Sequence, residues 1–328
     1  MSPPSGGSAW LSCSTTRAAL PLVEELLLQA ATAEDEPLQA AARSLIARGG
    51  KRLRPALVFL AAGFGDRRAA LLPAAAAALE LAHVASLYHD DVMDRAVTRR
   101  GGPSANRELG NPQATVVGTY LFARASALAA SLGDAANRLV AGALAEVCAG
   151  QLQEVEDAYD LGVSEARHLE TLTRKTGALF ELPVHLGCLL GNVEGTAAAA
   201  LLSYARHLGL AFQLADDALD LDGQTKALGK ATGTDLRQGV YSLAVIRALA
   251  CEGETGERLH ETLGQMELSA ANLAVALRLI DGCGAIASAM GTARAHARQA
   301  RQALAPLPRG SSRRSLGSLA EYAVARSC

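Results

Sequence analysis

Apolar residues recur at spacings of three and four positions through most of this chain. Alanine and leucine supply most of these positions, whereas β-branched and aromatic residues are few. Spacings of three and four place apolar side chains on one face of a helix, and alanine and leucine are strong helix formers. The pattern therefore predicts an all-α protein.

The predicted helices are interrupted at few places, and none of these interruptions divides the chain into two domains. Residues 1–17 are rich in serine, glycine and proline, so we expect them to be disordered. We expect residues 18–328 to form one domain. Near its end, Pro306 to Ser315 is a predicted connector before a last short helix from Leu316 to Arg326.

Two glycine-containing breaks lie beside charged residues. Gly101 to Pro103 should end the helix that carries Asp90 to Asp94, which would leave Arg99 and Arg100 at the C-terminal edge of that helix. The segment from Asp222 to Gly239 contains four glycines and few apolar residues. Such a segment between two helices is typical of a mobile loop at the mouth of a site.

Composition narrows the possible functions. The chain has 328 residues, is 50% hydrophobic and carries a formal net charge of -2, which argues against a nucleic-acid binder or a general membrane-surface binder. The six cysteines show no C-x-x-C pair, so we expect reduced thiols. No signal peptide is evident, and the longest apolar run, Ala69 to Leu79, is shorter than the roughly 18 residues of a membrane span. We expect a soluble cytoplasmic protein.

Two apolar helical segments, LELAHVASLYHDDVMD and FQLADDALD, each carry an Asp-Asp-x-x-Asp motif. The six carboxylates are Asp90, Asp91, Asp94, Asp216, Asp217 and Asp220. In each motif the first and last aspartates lie one turn apart on the same helix face, and the middle one is rotated by roughly 100°. His83 lies two turns before Asp90 on the same face.

Carboxylates inside apolar helices must either reach solvent or meet cations, because uncompensated burial costs several kcal/mol each. A solvated helix edge would explain one motif, but two separate motifs favour a metal site. Magnesium is the expected ion, since it takes oxygen ligands and bridges one or two carboxylates to substrate phosphates. Calcium in an EF-hand is the alternative, and that loop pattern is absent from the sequence.

Basic residues that could answer these carboxylates are concentrated in a few places. Only four of the 31 basic residues are lysines, and none lies on an obvious amphipathic surface helix. Lys51, Arg52 and Arg54 follow two glycines and precede Pro55, so their cationic ends can converge at one helix start. Lysine and arginine both recognise phosphate. A solvated basic turn is the alternative interpretation of this segment.

Taken together, the motifs resemble those of the trans-type isoprenyl diphosphate synthases, the polyprenyl synthetase family. The matching segments, in the family's order from about residue 20 onwards, are GGKRLRP at 49–55, HDDVMDRAVTRRGGPSAN at 89–106, RKTGALFE at 174–181, FQLADDALDLDG at 212–223 and GKATGTDLRQG at 229–239. The resemblance implies a bundle of about ten or more helices around a central active-site cavity, usually in a homodimer. It also implies magnesium as cofactor, three ions per active site with substrate bound.

The resemblance further implies roles for individual residues. Those expected to bind isopentenyl diphosphate are Lys51, Arg54, His83 and Arg100. Those expected to bind the allylic diphosphate are Arg99, Lys175, Thr176, Gln213 and Lys230. Those expected to bind magnesium are Asp90, Asp91, Asp94, Asp216, Asp217 and Asp220. Those expected to be catalytic are Asp90, Asp94, Asp216, Lys175 and Lys230.

Product length should depend on the wall of the helix before Asp90, because a growing hydrocarbon tail gains about 0.8 kcal/mol for each buried methylene. Ala82, Ala85 and Ser86 are small, and in the family bulky aromatics at the last two of these positions stop growth at short products. The small residues predict a linear product of C25 or longer, although Phe122, Tyr120 or another helix could supply a floor instead. Geranylgeranyl or farnesyl diphosphate synthase is the alternative.

Two residues depart from the family pattern, and the first of them, Val240, concerns a phosphate contact. Val240 stands where many members have lysine, and Thr119 stands where many have aspartate after Gly118. Neither change removes a predicted metal ligand. A class I terpene cyclase would need more aromatics than the 4% present and a different second metal motif, and a noncatalytic partner subunit would be expected to lose carboxylates.

Overall fold

The structure, a computed structural model, describes residues 11–66, 70–222, 232–265 and 268–325. Its regular elements are almost all helical, so the predicted all-α class is confirmed. The α-helices are α1 (Ser14–Ala30), α2 (Glu36–Ala47), α3 (Leu53–Ala62), α4 (Leu72–Met93), α5 (Ala105–Leu109), α6 (Asn111–Ala130), α7 (Asp134–Glu156), α8 (Glu165–Leu172), α9 (Ala178–Gly191), α10 (Gly195–Leu221), α11 (Thr234–Arg237), α12 (Leu243–Leu249), α13 (Glu254–Leu263), α14 (Ala270–Gly282), α15 (Ala285–Ala303) and α16 (Ser311–Ala325).

Two further elements are short and lie beside predicted site residues. A π-helical turn, Thr173–Gly177, connects α8 to α9. Strands β1 (Thr98–Arg99) and β2 (Gly102–Pro103) form an antiparallel hairpin in which Thr98 pairs with Pro103.

The chain divides into two compact units. Unit 1 comprises Met1–Leu144, Leu179–Leu202 and Ala303–Leu319, and unit 2 comprises Ala145–Ala178, Ser203–Gln302 and Ala320–Cys328. The first aspartate motif belongs to unit 1 and the second to unit 2.

Unit 1 is organised around α4, which packs against α1, α3 and α6. Its buried face is built largely from alanines, including the run from Ala75 to Ala78. Small side chains let neighbouring helices approach closely, and larger residues such as Leu81, Leu121 and Leu186 fill the remaining core. The close packing fixes the C-terminal end of α4, where the first motif lies.

Unit 2 has its own core, to which α8, α10, α12, α13, α14 and α15 contribute. Leu214 and Ala218 on α10 are buried in this core. Serine side chains cap the starts of two of these helices: Ser164 accepts a hydrogen bond from the amide of Arg167 before α8, and Ser269 from Asn272 before α14. The apolar face of α10 thereby anchors the helix that presents the second motif.

Three predicted boundaries were wrong. Helix α1 begins at Ser14, inside the segment expected to be disordered, and the Ser315 hydroxyl accepts a hydrogen bond from the amide of Cys13 at 3.0 Å. Helix α16 begins at Ser311 rather than Leu316. Helix α4 ends at Met93, well before Gly101, so Arg99 and Arg100 lie in the β-hairpin instead of at a helix edge.

Within the described ranges, no single helix combines the length and hydropathy of a bilayer span, although α14 and α15, bent by 61° at their junction, meet the criterion as a pair.

Candidate active site

The first motif occupies the last turn of α4 and the residue after it. The amide of Asp94 donates to the carbonyl of Asp90 at 2.8 Å, so helical geometry continues through the C-cap. Both side chains are half-buried. Asp90 and Asp94 therefore lie one turn apart on a partly open face, as their spacing predicted.

Asp91 has a different environment, because it is fully buried. Its Oδ1 accepts a hydrogen bond from Arg99 Nε at 2.7 Å, and its Oδ2 accepts one from the backbone amide of Ala105 at 2.8 Å. Both carboxylate oxygens are thus engaged by the segment that follows α4. Asp91 was expected to bind magnesium, but both of its oxygens are used to link the end of the helix to the segment that follows it.

The hairpin presents two arginines in different ways. Arg100 has φ 50° and Gly101 φ 74°, so the turn requires left-handed backbone at two consecutive positions. The Arg100 guanidinium donates to the carbonyl of Leu45 at 2.8 Å and lies 3.9 Å from Glu80. Arg99 donates its Nε–H to Asp91, and this hydrogen bond fixes the orientation of the guanidinium group and its two terminal nitrogens.

His83 lies among arginines. Burial first, and then the charges of Arg54, Arg100, Arg52 and Arg99, lower the pKa of His83 well below its ordinary value. Its Nδ1 is buried and has no hydrogen-bond partner among the described residues. A neutral imidazole surrounded by guanidinium groups is suited to hydrogen bonding rather than to carrying a charge of its own.

Arg54 lies over the ring of Phe180, with its guanidinium carbon 5.3 Å from the ring centroid. Burial lowers the pKa of Arg54 to about 10, and the carboxylates of Glu80 and Asp90 act against that shift. It remains a cation at neutral pH. The structure therefore brings Arg54 and Arg100 around His83 and places Arg54 within the field of Asp90.

The ion pair that holds these cations together was missed by the sequence analysis. Arg52, one of the arginines expected to converge on phosphate, is buried instead and donates to Glu80 at 2.6 Å and to Glu24 at 2.8 Å. Glu80 is itself buried, and among the described residues its ion-pair partners are Arg52 and Arg100. Its position in an apolar run three residues before His83 was the available signal.

The second motif lies in the last two turns of α10. Asp216 and Asp220 are half-buried and one turn apart, whereas Asp217 is buried. The side chain of Asp220 accepts a hydrogen bond from the amide of Asp235 at 3.3 Å, and its carbonyl accepts one from Gly233 at 2.8 Å. These bonds attach residues 233–235 to the end of α10, whereas residues 223–231 of the expected loop fall outside the described residues.

Lys175 is held by the π-helical turn. Its Nζ lies 2.5 Å from Glu154 Oε1 of α7, and both side chains are largely buried. Gly150 permits this approach, because a Cβ at that position would come within 2.6 Å of the Lys175 amide nitrogen. π-helical turns are frequent at functional sites, and here the turn orients a lysine expected to bind diphosphate.

Thr176 and Gln213 form one hydrogen-bonded chain with Asp217. Thr176 Oγ1 donates to Gln213 Oε1 at 2.9 Å, and Gln213 Nε2 donates to Asp217 Oδ1 at 2.7 Å. Burial, followed by the charge of Asp235, raises the pKa of Asp217 well above its ordinary value. The predicted allylic-site residues in unit 2 are thereby joined to the middle aspartate of the second motif.

Glu154 and Asp235 are the unit 2 residues that sequence reasoning did not select. Asp235 lies inside the quoted segment GKATGTDLRQG, so its motif was seen and its role was not. Glu154 lies one turn after Gly150 on α7, where nothing in the local pattern distinguishes it from a surface glutamate. Lys230 falls outside the described residues.

The donor chemistry of both motifs fits a hard divalent cation. No group of three or more His, Cys, Asp or Glu side chains in the described part of the chain is arranged to hold a metal ion by itself. Magnesium usually takes only one or two carboxylates and completes its shell with water and substrate phosphates. The pairs Asp90–Asp94 and Asp216–Asp220 supply that number.

The expected chain-length residues lie on α4 near its contact with α6. Ala82 and Ala85 are buried in the core of unit 1, whereas Ser86 is half-buried and donates to the carbonyl of His83 at 2.9 Å. Gly118 of α6 lies close to α4, because a Cβ at this position would be 2.5 Å from the ring of His89. Of the three small residues, Ser86 is the partly open one.

The two departures lie in separate places. Thr119 is exposed on α6 and its hydroxyl donates to the carbonyl of Thr115 at 3.0 Å, within its own helix. Val240 lines a small cavity in unit 2.

An all-α chain with two Asp-Asp-x-x-Asp motifs, each accompanied by buried or half-buried cations, has the features of an isoprenyl diphosphate synthase. The family model described as polyprenyl synthetase matches residues 35–280. The chain therefore belongs to the polyprenyl synthetase family, and the family predicted from its motifs is confirmed.

Individual relatives agree with this assignment. A nonaprenyl diphosphate synthase of Mycobacterium tuberculosis is 37% identical over 311 residues, covering 94% of this chain and 93% of that protein. Heptaprenyl diphosphate synthase component 2 of Geobacillus stearothermophilus is 39% identical over 234 residues, covering 71% and 73%. Geranylgeranyl diphosphate synthase of Methanosarcina mazei is 33% identical over 298 residues, covering 89% and 90%.

A solved structure shows the same fold. Polyprenyl synthase from Caulobacter crescentus, complexed with calcium and isoprenyl diphosphate, has a TM-score of 0.92 and 34% identity, covering 99% of this chain and 100% of that one. The predicted prenyl diphosphate synthase activity is confirmed at the level of the family. The relatives make products of several lengths, so they leave product length open.

Proposed function

We propose that this synthase uses magnesium and the side chains of both motifs to extend an allylic diphosphate with isopentenyl diphosphate, giving a linear product of C25 or longer. The observation that carries the proposal is that both motifs are intact and each presents a half-buried pair of carboxylates one turn apart, Asp90 with Asp94 and Asp216 with Asp220. Magnesium bound there supplies positive charge that stabilises the diphosphate leaving group.

The allylic diphosphate is assigned to Arg99, Lys175, Thr176, Gln213 and Lys230. Arg99 and Lys175 are each oriented by a carboxylate, Asp91 and Glu154 respectively. Preorganised cations of this kind act most strongly on charge that develops in the transition state, as it does on the departing diphosphate.

Isopentenyl diphosphate is assigned to Lys51, Arg54, His83 and Arg100. Arg54 supplies a cation with a desolvated guanidinium group, and neutral His83 supplies a hydrogen bond. With both diphosphates held, the allylic C–O bond breaks, diphosphate departs with the electron pair, and the double bond of isopentenyl diphosphate attacks the resulting allylic carbocation. The condensed product then loses a proton, and the departing diphosphate acts as the base that accepts it.

Product length is assigned to the side of α4 that carries Ser86. Ala82 and Ala85 are enclosed by core side chains, so their size governs packing, whereas the partly open Ser86 can border a hydrocarbon tail. A small residue there leaves room for more isoprene units.

A homodimer is part of the proposal. Cys148, Leu152 and Val155 are exposed along one side of α7, with Leu152 at 60% and Val155 at 57%. Exposed apolar side chains at helical spacing are typical of a contact between subunits. Leu152→Lys should convert the dimer to a monomer in sedimentation velocity, whereas Leu189→Lys, at another exposed leucine, should leave it a dimer; a dimeric L152K variant would place the interface elsewhere.

The activity is tested with the purified full-length chain, isopentenyl diphosphate and separate C10, C15 and C20 primers, with products sized by mass spectrometry. We expect magnesium-dependent release of diphosphate and a product of at least C25. Product that stops at C20 contradicts the length assignment alone. Absence of turnover with every primer contradicts the catalytic proposal, and would favour a chain that needs a second component.

A further inference from the structure

His168 is a buried polar side chain that the assigned roles do not use. It lies on α8 in unit 2 and is 8% exposed. Its Nε2 is buried and has no hydrogen-bond partner among the residues that the structure describes. A buried polar group without a partner costs about 1–3 kcal/mol, so its position needs an explanation.

The nearest candidate partner is the middle aspartate of the second motif. His168 Nε2 lies 3.9 Å from Asp217 Oδ2, which is too far for a direct hydrogen bond and close enough for one formed by a small rotation of either side chain. On another side the ring lines a cavity of about 20 Å³ that can hold a water and to which Asp217 does not contribute. Other walls of this cavity are Glu154, Asp157, Thr171, Val240 and Tyr241.

Asp217 is the end of the hydrogen-bonded chain described above. Its Oδ1 is taken by Gln213, which in turn binds Thr176. Its Oδ2 faces His168. A carboxyl group held at one oxygen can still rotate about its bond to Cβ, whereas a second contact fixes its plane.

The imidazole of His168 can serve as the donor in this contact. A histidine ring carries at least one N–H in both its neutral and its charged form, so the contact does not depend on the charge of the ring. Thr176 and Gln213 take their orientation from the far side of the same carboxyl group.

We propose that His168 is a positioning residue for the allylic diphosphate: it fixes the Asp217 carboxyl group, and through it Gln213 and Thr176. The proposal rests on the proposed function of this site. His168 does not contact substrate, and it supplies the second support that a buried carboxyl needs to hold two substrate-facing side chains in place.

The test compares three variants of the full-length chain. His168→Phe keeps a ring and removes the donor, His168→Asn keeps an amide that is too short to reach Asp217, and His168→Gln places an amide nitrogen near the original Nε2. Two readouts are used: KM for each substrate, and calorimetric binding of an unreactive thio analogue of the allylic diphosphate at saturating magnesium.

We expect H168F and H168N to weaken binding of the analogue about tenfold, which corresponds to about 1.4 kcal/mol. The KM for the allylic diphosphate should rise equally, the KM for isopentenyl diphosphate should not change, and H168Q should restore binding to within about threefold of wild type. The loss of binding free energy for the analogue in the double variant Gln213→Leu with H168N should be smaller than the sum of the two single losses, since both residues act through Asp217.

Equal binding of the analogue by wild type, H168N and H168F would overturn the proposal. Equal weakening by all three variants, with H168Q no better than H168F, would also overturn it, since that pattern indicates packing alone. If H168F does not fold, the comparison of H168N with H168Q decides. Absence of turnover in the wild type, with normal binding of the analogue, would contradict the proposed function and leave the role of His168 measurable.

Discussion

Replacing Asp91 with asparagine separates the two kinds of aspartate in the first motif. Asparagine has nearly the same shape, but it has one carbonyl oxygen where Asp91 uses two acceptor oxygens. One of the two donors, Arg99 Nε or the amide of Ala105, would then face an NH2 group. Asp90→Asn is the matched change on the same helix at a half-buried position.

The expected cost follows from the burial of Asp91. Its side chain has no exposed surface and that of Arg99 is 18% exposed. Removing one partner of a buried ion pair costs about 3–5 kcal/mol, in line with one lost charged hydrogen bond plus one unsatisfied donor. At about 2–4 °C per kcal/mol for a large domain, D91N should unfold about 10 °C below wild type. D90N should lie within about 2 °C.

The two variants should rank in opposite orders in calorimetry, which measures melting temperature, and in steady-state kinetics, which measures turnover. D90N should keep its melting temperature and lose turnover, because a predicted metal ligand is removed. D91N should lose stability, and any activity left should show an unchanged magnesium requirement. A D91N protein with wild-type stability and a raised magnesium requirement would show that Asp91 binds metal, and would refute the assignment of its oxygens to the hairpin.

Three further changes have direct outcomes. Gly150→Ala should weaken binding of the allylic diphosphate and lower stability by about 1–3 kcal/mol, because its Cβ meets the backbone of Lys175. The control, Gly142→Ala, has open space around it on the same helix and should be neutral or stabilising by up to about 1 kcal/mol. Equal stability of the two alanine variants would show that the π-helical turn can move. Ser86→Phe should shorten the main product seen by mass spectrometry, and an unchanged product would place the floor on another helix. Because the pKa of His83 is lowered in the folded state, the unfolded chain binds this proton at a higher pH than the folded protein does, so the free energy of unfolding should fall as pH decreases from about 6.5. His83→Gln should make that decrease less steep in denaturant titrations. Identical slopes of unfolding free energy against pH for wild type and H83Q would exclude this histidine as the source.

The sequence was most informative where a pattern repeats over several turns. Helical periodicity predicted the all-α class, and the spacing of Asp90 and Asp94 predicted their shared face. Boundaries failed where tertiary contacts decide them. The amide of Cys13 bonds to Ser315, nearly the whole chain away, and no local pattern reports such a contact.

Within the candidate site, the sequence shows which residues are basic, but it does not show which group each arginine contacts. Arg52 and Arg54 are neighbours of the same chemical kind, yet Arg52 is buried against Glu80 and Arg54 lies over Phe180. Arg52 also has left-handed backbone, with φ 48°, at the N-cap of α3, whereas Arg54 lies inside that helix. A positive φ at a non-glycine residue is set by packing, so the sequence gives no sign of it.

The π-helical turn at Thr173–Gly177 has a consequence for how this protein can change. Such a turn accommodates one more residue than the α-helix around it, so it arises or disappears by a single-residue insertion or deletion. Loss of one residue here would restore ordinary winding and swing the preceding side chains by roughly 100° relative to α9. A one-codon deletion in this turn would therefore change the direction in which Lys175 faces relative to Glu154.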